Sequence, residues 1–375
     1  MKMKIFLIIT LGSSFLLTTC NDKDHYIPVF NKFKKSEILN LELKNPKQID
    51  LRNSEYIEEI SFDQSSETMG SNNILPLEKN LVSLASDNKT IRLLDETGKK
   101  ILKEENYSGR GPGEYQNISG VFNDNKFIIV VDNNLNKVLR YDHELNYKDE
   151  FYLEDLNAFT SGLTVHNDEL IYPIRTNDEY LFNRKNLSVD NDSLNFFFKR
   201  IISLGKKPSS YNSFIPHSSD SGSLTFVSLH MPLIFYHQKI NGISLSSPDV
   251  IFRLKHPDMD IINKDVKNSM GMGTDIIQNP PPIDIETRNR RIGLSQLFND
   301  IYHNDEWLFL VHSNNNLSLF KRTDSKMIHT NTFYFNKEDD EKFKIENVSF
   351  SFPWIYLSSR FENSFLRINI TELTN

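Results

Sequence analysis

A chain of 375 residues, 38% of them hydrophobic and 25% charged, carries enough apolar material for a sizeable core and too much for a disordered protein. Its 43 Lys and Arg stand against 50 Asp and Glu, a net charge of -7, which supplies no basic footprint for phosphate backbones and excludes nucleic acid as a natural partner. A single cysteine, Cys20, excludes disulfide frameworks, Fe–S clusters and cysteine-based zinc sites.

In chain order, Lys2 and Lys4 precede an apolar stretch from Ile5 to Leu17, the pattern of a secretory signal peptide and too short to span a bilayer. The signal is expected to cover residues 1–19. The following Leu17-Thr18-Thr19-Cys20 resembles a bacterial lipobox, which implies that Cys20 is lipidated and becomes the new N-terminus. Two or three acyl chains, each buried methylene contributing about 0.8 kcal/mol, would make the membrane the protein's first partner. Asn21-Asp22-Lys23-Asp24 is similar to the acidic export signals of surface lipoproteins, so an outer-membrane lipoprotein facing the periplasm or the exterior is expected. Residues 20–48, polar and spotted with lysine, read as a lipidated tether, and residues 49–375 as the folded domain.

Beyond the tether, short apolar runs alternate with polar turns. Ile49 to Phe62 has period-two character and can supply a strand that closes a circular array from the chain's own beginning. Asn73 to Asp95 and Ile118 to Leu153 each read as a meander, and aligning Asp87-Asn88 with Asp132-Asn133 gives an offset of 45 residues, the length of a four-stranded propeller blade. Looser units follow at Leu163 to Phe182, Leu233 to Leu254, Trp307 to Arg322 and Val348 to Ile370. Six units in this length leave surplus chain, placed in insertions at Asn183 to Ser223 and His256 to Asp305; one short helix is allowed at Ile285 to Ile301.

Gly109-Arg110-Gly111-Pro112-Gly113-Glu114-Tyr115, followed by Val130 to Val138 with its Asp132, Asn136 and Lys137, resembles the NHL-type repeat and in particular the six-bladed β-propeller lipoproteins. That family is similar in fold to TolB-like and YWTD propellers. The resemblance implies an all-β, six-bladed propeller of four-stranded antiparallel blades, with an N-terminal strand closing the ring. It implies no particular activity.

Candidate binding residues come from loops and insertions. The amides of the Gly109 to Tyr115 loop, beside Arg110, can hold a carboxylate or phosphate, or the loop can be a compact link between blades with Arg110 and Glu114 paired. Asp132, Asn136 and Arg140 read as structural turn residues. In the first insertion, Phe196-Phe197-Phe198 cannot all face one way on a strand, which marks Phe197, with Tyr211 and His217, as packing residues or ligand contacts. In the second, Arg288, Arg290 and Arg291 can clamp an anion or form a solvated rim. Histidines show no metal-ligand spacing and no nucleophile elbow is present, so no metal site is assigned; calcium is the one cofactor held open. A binding module for a small molecule, glycan, peptide or envelope protein is expected, its site at the mouth of a central channel. The alternative is a metal-dependent propeller hydrolase or lyase using the same channel.

Overall fold

A computed structural model describes residues 36–61, 71–156, 162–174, 180–188, 195–199, 203–204, 207–208, 213–238, 248–255, 296–323, 326–337 and 341–374. Six mainly antiparallel sheets of four or five strands follow one another along the chain. Blade 1 comprises Ser71–Pro76, Asn80–Ala85, Ile91–Asp95 and Ile101–Glu105. Blade 2 comprises Ile118–Asn123, Ile128–Asp132, Lys137–Tyr141 and Tyr147–Tyr152, and blade 3 Thr164–His166, Glu169–Pro173, Tyr180–Asn186 and Asn195–Lys199. Blade 4 is built on Phe214–Ser218, Leu224–Ser228, Leu233–His237 and Val250–Lys255, and blade 5 on Phe298–His303, Trp307–His312, Leu317–Arg322 and Met327–Asn336. Blade 6 takes Asn347–Ser351, Trp354–Ser358 and Ser364–Asn369 from the C-terminal end and Ile57–Ser61 from the N-terminal end. The first strand of each blade packs against the first strands of both neighbours, so these six innermost strands close a ring around a central channel.

The core lies between blades. Each sheet is sandwiched by two others, so its middle strands are buried on both faces, as in Ile128–Asp132, Leu224–Ser228 and Trp307–His312, where every residue is buried. This is why the sequence shows continuous apolar runs where a sheet with one wet face would alternate. The seam between blades 3 and 4 is aromatic: the Phe198 ring stacks on Phe226 at 4.3 Å and meets Phe214 at 5.2 Å and Phe235 at 5.8 Å. Phe198 reaches it from a left-handed backbone (φ 58°) that interrupts the pairing of Asn195–Lys199 with Tyr180–Asn186. The run of phenylalanines is thus broken by a local twist that turns one ring into the seam.

The 45-residue repeat has a physical counterpart. Asn72 Nδ2 donates to Asn88 Oδ1 at 2.7 Å in blade 1, and Asn117 Nδ2 donates to Asn133 Oδ1 at 2.7 Å in blade 2, each partner displaced by the same step (72 to 117, 88 to 133). Asp87 and Asp132 cap equivalent turns, Asp87 accepting from the amides of Lys89 and Thr90 and Asp132 from those of Asn134 and Leu135. Asn136 holds the left-handed conformation (φ 53°) that the turn requires, and Arg140 pairs with Asp149 at 2.5 Å.

Four sequence expectations change. The stretch read as tether up to residue 48 contains Glu37–Glu42, which adds in parallel to the outer strand of blade 4, and the start of Lys47–Asp50, which adds in parallel to the outer strand of blade 5. Leu41 is buried in the first of them, with Leu39 and Leu43 packed against the same cluster, a period-two run that the polar, lysine-spotted surroundings masked; Ile49, already read as part of the folded domain, is buried in the second. Asn183 to Ser223 is no single insertion, because it holds the outer strand of blade 3 and the inner strand of blade 4. The second excursion likewise ends in an inner strand, Phe298–His303, so Phe298 to Ile301 is strand where a helix was allowed; residues 256–295 lie outside those described. The described helical segments are the 3-10 turn Leu51–Asn53 and the single turn Ile370–Leu373. Among the described residues no helix is long and apolar enough to cross a membrane.

Candidate functional site

A cavity of about 530 Å³ occupies the channel and is lined by all six innermost strands. In blades 1, 2, 4, 5 and 6 it touches the C-terminal halves of those strands and the turns after them, through Glu78, Asn125, Asp220, Asn304 and Phe352. The cavity therefore opens at the end where the inner strands finish. Phe352 stands 69% exposed at that rim.

The richest wall is the inner strand of blade 5, Phe298–His303, where alternation divides the work. Asp300 meets blade 6, its Oδ2 accepting the Val348 amide at 2.8 Å, and the Tyr302 ring stands between neighbours, 5.8 Å from Phe350 of blade 6 and 4.6 Å from His217 of blade 4. His303 points toward blade 4, where its Nδ1 lies 3.1 Å from His217 Nδ1. His217 Nδ1 also accepts the backbone N–H of His303 at 3.2 Å, so this nitrogen is unprotonated and His303 Nδ1 is the donor between the rings. Beyond it, His303 Nε2 takes the Ser223 hydroxyl at 3.0 Å, Ser223 meets Ser219 at 2.7 Å, Ser219 meets Ser221 at 2.9 Å, and Ser221 donates to the exposed carboxylate of Asp305. On blade 3, His166 Nδ1 lies 2.7 Å from Ser218 Oγ.

Enclosure in the wall sets the charge states. Desolvation pushes the Asp300 carboxyl up to about 7 against the pull of the Val348 and Ile301 amides, and it raises the Tyr302 phenol above its ordinary value. The same effect takes His217 down to about 3 and His166 and His237 to about 4, and His303 well below 6.5. Near neutral pH the His217 imidazole in the cavity wall is thus uncharged, as are His166, His237 and His303 behind it, and the Asp300 carboxyl is raised toward neutrality.

A pH dependence of stability follows. For these histidines the folded pKa lies below the unfolded value of 6.5, so the unfolded chain binds more protons once the pH drops under 6.5, and stability present above that point is lost toward pH 4. The loss is on the order of 1 kcal/mol per pH unit for each histidine. Asp300, raised by burial, works in the opposite direction over pH 4 to 7 and offsets about one of the four. Urea unfolding at pH 7 and pH 5 is expected to show a clear drop, with a shallower slope in His217→Gln; equal midpoints at both pH values would refute the assignment.

Of the binding residues expected from sequence, the cavity collects His217. Arg110 is exposed in the link before the inner strand of blade 2, at the opposite end of the channel. The amides of that link are already occupied: Gly111 N–H donates to Glu114 at 2.6 Å and Gly113 N–H, at φ 74°, to Glu150 at 2.8 Å. Glu114 thus serves the backbone of its own loop in place of the expected pairing with Arg110, and the amides of Gly109, Gly111, Gly113, Glu114 and Tyr115 are all engaged within the protein. Tyr211, Arg288, Arg290, Arg291, Cys20 and the side chain of Phe197 lie outside the described residues. The strands flanking both excursions, from Asn195–Lys199 to Phe214–Ser218 and from Val250–Lys255 to Phe298–His303, connect an outer strand to the next inner one, again at the far end from the opening. Sequence reading missed Asp300, Tyr302, His303 and Phe350. Polar residues interrupting an apolar strand, as in Phe298–His303, were the available signal, hidden inside what read as an insertion.

Among the described residues, no group of three or more His, Cys, Asp or Glu side chains is arranged to hold a metal ion. The family model DUF5128, a 6-bladed beta-propeller, matches residues 65–266. No curated protein matches the chain. Among solved structures it is similar to an exported protein of Bacteroides fragilis NCTC 9343 (16% identity, 88% of this chain and 98% of that one, TM-score 0.50). It is also similar to a DUF4221 family member from Bacteroides vulgatus (10% identity, 84% and 96%, TM-score 0.48). A third is a catalytically inactive virginiamycin B lyase from Staphylococcus aureus with quinupristin (12% identity, 84% and 98%, TM-score 0.47).

Proposed function

Because this chain belongs to DUF5128, the 6-bladed beta-propeller family, we propose that it is a binding module of the bacterial envelope, tethered by a lipid on Cys20 and taking a small ligand into its central channel. The observation that carries the reading is the cavity of about 530 Å³, a volume suited to a small molecule, with ring faces, hydroxyls and carboxylates from six blades converging on one opening. The envelope address is supported by the order of Lys2, Lys4, the Ile5 to Leu17 run and Cys20, and by the exported protein of similar fold.

The two halves of the reading are tested separately. Cells fed an alkyne-bearing fatty acid are expected to label the wild-type chain and not Cys20→Ala; equal labelling of both would dispose of the anchor. Ligand-observed NMR with a mixed fragment library is expected to yield binders that are lost in Tyr302→Ala. Binders indifferent to that change would place the site elsewhere.

A further inference from the structure

The cavity wall has a marked charge bias. The chain carries 43 Lys and Arg, yet none of them lines the cavity among the described residues, while Glu78, Asp220 and Asp300 do. Glu78 and Asp220 stand exposed at the opening, on the turns after the inner strands of blades 1 and 4. Asp300 sits deeper, beside the Val348 amide and on the same strand face as Tyr302, whose ring meets Phe350. Phe122 and Phe352 add further rings to the lining. A negative potential focused into a channel repels carboxylates, phosphates and sulfates and attracts cations, and aromatic faces beside a desolvated carboxylate form the surroundings in which organic ammonium groups are held.

We propose that the channel is specific for ligands bearing a protonated amine or quaternary ammonium group, drawn in past Glu78 and Asp220 and held between Asp300 and the rings of Tyr302 and Phe350. This rests on the channel being the binding site, and it supplies the ligand class. The groups around Asp300 are the amides of Val348 and Ile301, the phenol of Tyr302 and, farther along the wall, the uncharged His217 and His303 and the rim carboxylates Glu78 and Asp220. None of them is cationic near neutral pH, so the ligand is the group that ionises Asp300. With the free carboxyl at about 7, binding releases a proton, and affinity grows as the pH rises from 6 to 8.

Choline and its uncharged carbon analogue 3,3-dimethyl-1-butanol differ in the charge on the headgroup and test this directly by calorimetric titration of the full chain. Choline is expected to bind at least about tenfold tighter than the alcohol at pH 8, and about tenfold more weakly at pH 6 than at pH 8. Asp300→Asn should erase both differences, with Asp220→Asn, on an exposed turn, giving a smaller loss should the first variant fold poorly. Equal binding of the two probes, or a preference unaltered in both variants, would overturn the cationic class. Binding of methyl glucoside at a Tyr302-dependent site with no preference for choline would reject the class while leaving the channel as the site. Failure of choline, the alcohol and the fragment library alike would remove both.

Discussion

A chain that begins at Ser71, lacking the strands Glu37–Glu42, Lys47–Asp50 and Ile57–Ser61, is expected to lose cooperative folding, whereas one that begins at Ser36 should unfold like the full protein. Those three strands bury Leu41, Ile49, Ile57 and Ile60. At about 1.5–3 kcal/mol for each aliphatic side chain taken from water, the loss is roughly 6–12 kcal/mol, comparable with the whole stability of an ordinary domain. The loss is also uneven. Ile57–Ser61 pairs antiparallel with Ser364–Asn369 through five residues and joins the last blade to the start of the ring. The other two strands only add to sheets that are already complete. A chain beginning at Ser54 should therefore keep a cooperative transition at lower denaturant, and the chain beginning at Ser71 should expose the edge of blade 6 and self-associate. Urea unfolding with size-exclusion chromatography decides it; an unchanged midpoint for the shortest chain would mean that the ring closes without its N-terminal strand.

Replacing Lys137 by Ala is expected to cost about 3–5 kcal/mol, the range for removing one member of a buried ion pair. Its side chain is fully buried, and Nζ donates to Gly111 O at 2.8 Å, Glu114 O at 3.1 Å and Glu150 Oε2 at 3.1 Å. Loss of the ammonium strands a largely buried carboxylate and two carbonyls at once, and it frees the Gly109 to Tyr115 link, whose Gly113 amide depends on the same Glu150 oxygen. In a double-mutant cycle, Lys137→Met with Glu150→Gln should recover part of the loss, because an amide oxygen still serves Gly113 without leaving a charge unpaired. A loss under about 1 kcal/mol for Lys137→Ala would show that water replaces the lysine without penalty. The test bears on the role of the loop, since Lys137, Glu114 and Glu150 clamp this glycine-rich segment from inside.

How much of the site was legible can be judged from two residues. His217 was named because it falls with Tyr211 and Phe214 in a stretch read as an insertion, and it lines the cavity because that stretch ends in an inner strand. Asp300 was not, because an acid inside Phe-Asn-Asp-Ile-Tyr-His has the same local sequence whether its carboxyl meets bulk water or the amide of Val348. That amide belongs to a strand 48 positions further along the chain. The charge bias of the cavity was equally invisible, as it depends on which of many scattered Lys and Arg residues six different strands leave outside.

By itself the sequence determined the blade. Apolar runs of strand length, Asp and Asn turns and a 45-residue spacing act between residues close in the chain, so the repeat, the all-β class and the outline of six units could be read from local physics. The tertiary structure alone decided what ring closure brings together: the parallel strands from the N-terminal segment, the His217–His303 contact, the end at which the channel opens, and the placing of Arg110 at the other end. Each of these depends on the order and direction in which sheets stack, and stacking joins residues that no local pattern links.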